Sequence, residues 1–399
     1  MVKKRAQTDS ALLTALLCFI FLACLPMRGQ TVSLELRTST GRAEFHVGEV
    51  ILVDLLFVSD TPNAYERNRG ISFPESDPMP DTFLVEPREG WADPLGEYRK
   101  ALFRAEHSGR FPMSGSIFSA RHVLGPKPYV LSLILNDYVR FSRPGRYVLQ
   151  VQDSGVTSLT TQPGVMPTQL AITSKPLELV ILPADLQWQQ NNLRETLDTL
   201  AQLQQVIDSH ARSYRASLND SCINLRAMGI PEAGIIMVDS LRHEDLFSYC
   251  SFHEGILEFP DPKFILVQLR QRFKDPDFPV TYAFFNTMDM ITLLAEGRAD
   301  HLFGPNQEKF DRRLEQQLLS VVSLKRGEAK TETISTLVNM CFAAYGGDMG
   351  AFAQISREQS RLNSQVLRVA TAHVEQLSPD VQNMLHNYRK AHGLETTGP

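Results

Sequence analysis

Hydrophobic and polar positions alternate from Thr31 onward. Val32, Leu34 and Leu36 stand against Ser33, Glu35 and Arg37, which predicts a strand with one buried face. The segment Phe45 to Val58 contains the nearly continuous apolar run Val50-Ile51-Leu52-Val53 and predicts a central strand. Tyr129 to Leu135, Tyr147 to Val151, Leu170 to Ile172 and Leu177 to Leu182 predict further strands. Before Tyr147, Pro144 presets the first corner of a turn and Gly145 is expected at positive φ in the second. Tyr147, Leu149 and Val151 then share one face. Pro183 closes this part. From Gln189 the period changes: Leu193, Leu197, Leu200, Leu203 and Ile207 recur at intervals of three or four, the spacing of an amphipathic helix. The boundary is expected near 184, and residues 184–399 read as helices joined by short Gly, Pro or Asp connections.

Two stretches break the pattern. Between Asp60 and Pro128 lie nine prolines and scattered aromatics, and this region is expected to be a long Pro-rich insertion, residues 60–128, decorating a β domain of residues 31–183. Residues 1–30 have a signal-peptide layout: Lys3, Lys4 and Arg5, the apolar run Ala11 to Leu25, then Pro26. That run is too short to span a bilayer, so export with cleavage near Gly29 or Gln30 is expected, without a permanent transmembrane anchor. Phe21-Leu22-Ala23-Cys24 partly matches a lipobox, which makes lipid attachment at Cys24 a minor alternative. After cleavage Cys222, Cys250 and Cys341 remain. Their odd number and helical setting suit buried thiols better than a disulfide framework.

Composition narrows the function classes. Hydrophobic residues make up 43% and charged residues 21% of the chain, the balance of a folded protein. The 40 basic residues are outnumbered by 45 acidic ones, which argues against nucleic-acid binding.

Two resemblances follow from named residues. Pro144-Gly145-Arg146-Tyr147-Val148-Leu149-Gln150-Val151, with the earlier Val47-Gly48-Glu49-Val50-Ile51, resembles strands of immunoglobulin-like β-sandwich domains in secreted bacterial proteins. In the helical half, Gly229 and Pro231 punctuate the chain as Phe259-Pro260-Asp261-Pro262 does 31 residues later, a weak internal repeat. Leu241 to Leu246 aligns with Phe273 to Phe278 at an offset of 32. The turn Lys274-Asp275-Pro276-Asp277, followed by a helix expected near Val280, resembles the turn inside a HEAT repeat. That resemblance implies that the Asp caps the second helix and that Ile265, Leu269 and Phe273 stack on Phe284, Met288 and Ile291. The basic residue usual in that family is replaced by Thr281. Together these features resemble exported bacterial proteins that join an immunoglobulin-like antiparallel β-sandwich to an all-α HEAT-like array, a multidomain α+β class. The likeness implies no reaction and no catalytic residues.

Strong enzyme motifs are missing: the chain has no H-E-x-x-H, G-x-S-x-G or P-loop, and no G-x-G-x-x-G after a strand. His243-Glu244-Asp245 and His253-Glu254 could converge on a metal, but their spacing favours a solvated turn with Asp245 as a helix cap. Gly346 to Gly350 reads as a connection between helices. Asn219-Asp220-Ser221 is a sequon within a helical stretch. The segment Glu86 to Tyr98 carries Glu89, Trp91, Asp93, Glu97 and Tyr98, carboxylates and rings of the kind that bind sugars, and it is the candidate binding surface. The plainer reading of Trp91 is a loop aromatic tucked on the sheet edge.

These observations predict a non-enzymatic exported binding or scaffold protein, periplasmic or extracellular, that needs no cofactor or metal. Its partner would be an envelope protein or polysaccharide. The competing expectations are an envelope hydrolase acting on glycan or peptide bonds, with Glu89 and Asp93 as its carboxylates, and an accessory subunit whose partner supplies catalysis.

Overall fold

The computed structural model describes residues 32–70, 81–96, 98, 100, 119–159, 167–203, 212–243, 252–253, 255–299, 302, 307–342 and 357–394. Every described strand lies between Val32 and Leu182; Gly96, Tyr98 and Lys100 are helical within this part, and from Leu186 onward the described elements are helices. The chain is mixed α/β, with largely antiparallel sheets followed by helices.

Strand β1 (Val32–Thr38) buries alternate residues, as its sequence dictates, and pairs antiparallel with β3 (Leu52–Ser59), which pairs in turn with β8 (Tyr129–Ile134). The second sheet is organised by β10 (Gly145–Ser158). On one side of it β5 (Asp81–Glu86) and β4 (Tyr65–Gly70) lie end to end, and on the other β12 (Leu177–Leu182) and β11 (Gln169–Thr173) do the same. β7 (Ser119–Val123) extends the sheet beyond β4, and β2 (Glu44–His46) joins β12 in a parallel pairing that the expected all-antiparallel arrangement lacks. A third, two-stranded ribbon pairs β6 (Trp91–Ala92) with β9 (Arg140–Phe141). Inward residues of the two larger sheets, among them Leu34, Leu55, Leu131, Leu149 and Leu179, form one apolar core.

Residues 60–128 are therefore not an insertion hung outside the sheets, because they supply β4, β5, β6 and β7. The sequence of β4 hides its role: its inward residue is Arg67, whose side chain is 2% exposed. Arg67 Nε and Nη2 donate to one carboxylate oxygen of Asp153 at 2.9 and 2.7 Å, and its guanidinium lies 4.9 Å from the centre of the Phe57 ring in the other sheet. Asp153 sits where the register of β10 shifts, and its second oxygen accepts from Gly155 N at 3.0 Å. Asp153 continues the inward alternation of Tyr147, Leu149 and Val151, the shift after it brings Val156 inward, and the ion pair offsets the desolvation of both charges.

The expected Pro144-Gly145 corner also differs. Gly145 is the first residue of β10 and is not at positive φ. The corner is closed by the Tyr147 hydroxyl, which donates to Arg143 O at 2.9 Å. The positive φ falls at Gly90, at +84°, where a Cβ would overlap that hydroxyl.

Among the described residues the helices with defined bounds are α1 (Leu186–Leu203), α2 (Arg212–Met228), α3 (Pro231–Ser240), α4 (Pro262–Lys274), α5 (Tyr282–Ala295), α6 (Gln307–Val321), α7 (Gly327–Phe342), α8 (Arg357–Thr371) and α9 (Pro379–Ala391), and residues 252–253 and 255–257 are helical as well. Each packs mainly on helices close to it in sequence. The predicted punctuation is present: Gly229 at φ +62° precedes Pro231, and Asp261 caps α4 by accepting from Lys263 N and Phe264 N.

The next turn departs from expectation. α5 begins at Tyr282 and is capped by Thr281, which accepts from Phe284 N at 3.1 Å, while the carboxylate of Asp275 accepts from Asp277 N inside the turn. A hydroxyl one residue before the helix reaches its free N–H groups, which a carboxylate four or more residues earlier does not. Thr281 also donates to Leu241 O at 2.6 Å, and Lys325 Nζ donates to Asp275 O and Phe278 O at 2.6 and 2.7 Å. Three inter-helix turns are thereby stitched together, with the cation supplied by Lys325 in the turn between α6 and α7 instead of by position 281. Burial pushes the Lys325 ammonium down to about 8, against the pull of Asp275 and Asp277.

Candidate functional site

The polar groups that could carry chemistry concentrate where the sheets meet the helices, and three local structures build this junction. The first is the turn after β2. Gly48, at φ +86°, lies so close to α2 that a Cβ would stand 3.2 Å from Met228 O and 3.3 Å from Gln189 Nε2. Beside it the ring of His46 stacks on Trp188 of α1, and its Nδ1 lies 2.8 Å from Pro183 O.

The second is the segment between β8 and β9. Asn136 is buried and holds this segment to the strand start, its Nδ2 donating to Glu49 O at 3.0 Å and its Oδ1 accepting from Ile51 N at 2.8 Å. Asp137 and Arg140 are thereby presented to the helices. Arg140 Nη1 donates to Glu258 O, and Nη2 donates to Arg226 O at 3.0 Å and to Glu258 Oε2 at 3.3 Å. Arg226 Nη2 donates to Asp137 Oδ1 and, at 3.2 Å, to Glu258 Oε1. The Glu258 side chain is fully buried and that of Arg226 is 6% exposed, while Asp137 at the edge of the cluster is 22% exposed, so two cations and two anions balance one another. Burial lowers the Arg140 pKa from its ordinary value, Glu258 and Asp137 oppose that shift, and Arg226 adds to it. Both carboxylates of the cluster accept from guanidinium groups.

The third is the stretch after β6. Leu95 and Tyr98 are 6% and 3% exposed, and both belong to the apolar core of the helices instead of that of the sheets. One of the five residues of the candidate surface is therefore buried. Tyr98 is an anchor in the helical core, buried because helices far along the chain close over it. Glu89 and Asp93 are exposed, and an Asp93 oxygen accepts from Leu95 N at 3.2 Å. Trp91 is half-buried on β6, paired with Phe141, and its Nε1 donates to Pro87 O at 3.1 Å. Glu97 lies outside the described residues.

The other candidates separate in the same way. His253 is fully buried. The Thr287 hydroxyl donates to Ala283 O, so His253 Nδ1 must be the donor in the 2.9 Å bond to Thr287 Oγ1. Desolvation pushes this imidazole down to about 3, leaving it neutral and without acid–base use near pH 7. His243 lies in the turn after α3, and desolvation together with Arg242 holds it below the ordinary imidazole value. Glu244, Asp245, Glu254, Cys250, Cys24 and the glycines of 346–350 lie outside the described residues. Cys222 is buried and Cys341 half-buried. Burial, and secondarily Glu315, pushes Cys341 up to about 12, far from a reactive thiolate. Asn219 and Ser221 lie within α2. Among the described residues no group of three or more His, Cys, Asp or Glu side chains could hold a metal, and no helix is long and apolar enough to cross a membrane.

The residues missed by sequence reasoning are Asp137, Arg140, Arg226 and Glu258. A faint signal was present: Arg226 stands between Leu225 and Ala227, and Glu258 between Leu257 and Phe259, single charges inside apolar runs. No protein-family model, curated protein or solved structure matches the chain.

Proposed function

We propose that the chain is an exported, non-enzymatic binding or scaffold protein, periplasmic or extracellular, in which an immunoglobulin-like β-sandwich and a HEAT-like helical array act as one rigid platform for an envelope protein or polysaccharide. The observation that carries this reading is the junction. The buried ionic groups of this region are engaged in holding sheets to helices, and Tyr98, one of the two rings of the candidate binding surface, is an anchor in the helical core. The sandwich reading is supported by two sheets sharing one core and by the Tyr147 hydroxyl bonded to the backbone four residues upstream, as in the tyrosine corner of such folds. The array reading is supported by the stitched turns at Leu241, Asp275 to Thr281, and Lys325.

The test is mild crosslinking of the tagged chain in its native envelope, followed by recovery of bound material and, in parallel, a turnover screen on envelope glycans and peptides. A partner recovered reproducibly and lost on charge reversal of exposed residues supports the binding reading. Turnover abolished by Glu89→Gln or Asp93→Asn replaces it with the hydrolase reading.

A further inference from the structure

Helix α4, Pro262–Lys274, carries Lys263, Arg270, Arg272 and Lys274 and no acidic residue, although the chain as a whole has a net charge of −5. These four cations are used in two different ways. Arg272 turns toward α3, where its Nε and Nη2 donate to the two carboxylate oxygens of Asp239. Lys263, Arg270 and Lys274 are exposed, and none forms an ion pair with a described residue. At 100° per residue these three positions fall within about 40° of one another around the helix, so they form a single line. At a rise of about 1.5 Å per residue the line is about 16 Å long. Val267, 49% exposed, and the exposed Gln271 lie beside it. The nearest acidic residues in sequence stand at the helix ends: Asp261 caps the first turn with its carboxylate, and Asp275 and Asp277 lie in the following turn.

An acidic residue one turn from an exposed cation stabilises a helix, and like charges at that spacing destabilise it. Positions 263, 267, 270 and 274 are one turn apart and contain no such residue. We propose that this face of α4 binds a linear anionic polysaccharide, one bearing a carboxylate or comparable acid group along its length. The row is one side chain wide and offers one exposed apolar residue, so it lacks the apolar centre of a packed protein interface and the apolar stripe of a helix lying on a membrane. Rotatable Lys and Arg stems follow a flexible, repeating charge, and the Gln271 amide adds hydrogen-bonding capacity toward sugar hydroxyls.

This inference rests on the binding reading and names the class of its ligand. It is tested by affinity electrophoresis and calorimetry of the purified full chain with polygalacturonate, with neutral dextran as the control polymer. The result expected is binding to polygalacturonate alone that weakens about tenfold between 50 and 200 mM salt, as release of counterions from a few contacts requires. The variant Lys263→Glu/Arg270→Glu/Lys274→Glu should lose that binding at least tenfold. A variant with the same charge change on the β part, Lys127→Glu/Arg146→Glu/Lys175→Glu, should keep it, with unchanged circular dichroism in both. The inference is overturned if polygalacturonate does not bind at 50 mM salt, if both variants weaken equally, or if poly-glutamate peptide or anionic vesicles bind while polygalacturonate does not. Each of these results removes α4 as the polysaccharide site, while crosslinking in the envelope tests the broader binding reading separately.

Discussion

Arg140 and Glu258, 118 residues apart in the chain, meet twice: the Arg140 guanidinium donates to the backbone carbonyl of Glu258 and also, at 3.3 Å, to its carboxylate. The first contact fixes where the chain passes, and the second satisfies a charge that has left water. Arg226 approaches the other oxygen of the same carboxylate at 3.2 Å, so Glu258 is the shared acceptor of both cations. Replacing it with Ala leaves two buried guanidinium groups facing Asp137 alone. We expect Glu258→Ala to lower unfolding stability by about 3 kcal/mol, read as a fall in the urea midpoint. A change within a few tenths of a kcal/mol would mean that the cluster is solvated and does not hold the junction.

Tyr98 separates the two readings of the segment 86–98. A residue of an exposed binding surface can be truncated with little effect on stability, whereas one seated in the helical core cannot. Tyr98→Ala is expected to cost about 3 to 5 kcal/mol and to raise binding of an apolar dye, because the cavity opens beside Leu95. Glu89→Ala, at an exposed position, is expected to change stability by less than about 0.5 kcal/mol.

His253 predicts an acid limb in the stability profile. Its folded pKa is pushed down to about 3 from an ordinary value of 6.5, so the native state excludes a proton that the unfolded chain binds. The stabilisation is complete above pH 6.5 and is lost as pH falls from 6.5 toward 3, amounting to about 3 kcal/mol by pH 4.5. His253→Gln, which retains a side-chain donor toward Thr287, should flatten this limb in urea titrations at pH 7 and 4.5. An unchanged slope would show that other groups dominate it.

Gly90 is held by geometry. Its φ of +84° disfavours any side chain, and a Cβ would overlap the Tyr147 hydroxyl that bonds Arg143 O. Gly90→Ala is expected to cost about 1 to 3 kcal/mol and Tyr147→Phe about 1 kcal/mol, both from denaturation midpoints. In the background of Tyr147→Phe the Gly90→Ala penalty should shrink, because the clashing oxygen is gone.

Local pattern made much of the architecture legible. Alternation at Val32, Leu34 and Leu36 marks β1, and Pro260-Asp261-Pro262 marks the start of α4, because burial of one face and capping of free N–H groups are decided within a few residues. β4 was hidden for the opposite reason: its inward residue is Arg67, acceptable there only because Asp153 arrives from 86 residues away. Tyr98 reads from sequence as part of a binding surface because the helices that bury it are remote in sequence. The cap of α5 was assigned to an Asp by likeness, whereas the hydroxyl of Thr281, adjacent to the first turn, makes the bond.

The claim that sheets and helices form one body is tested most directly by its two tryptophans. Trp91 lies on the β6–β9 ribbon and Trp188 stacks on His46, so both report on the junction. Urea unfolding should be followed by tryptophan emission and by helical circular dichroism on the same samples. Coincident transitions with one midpoint are the predicted result. A fluorescence transition complete at lower urea, while the helical signal remains, would show that the junction opens first and that the two parts stand independently.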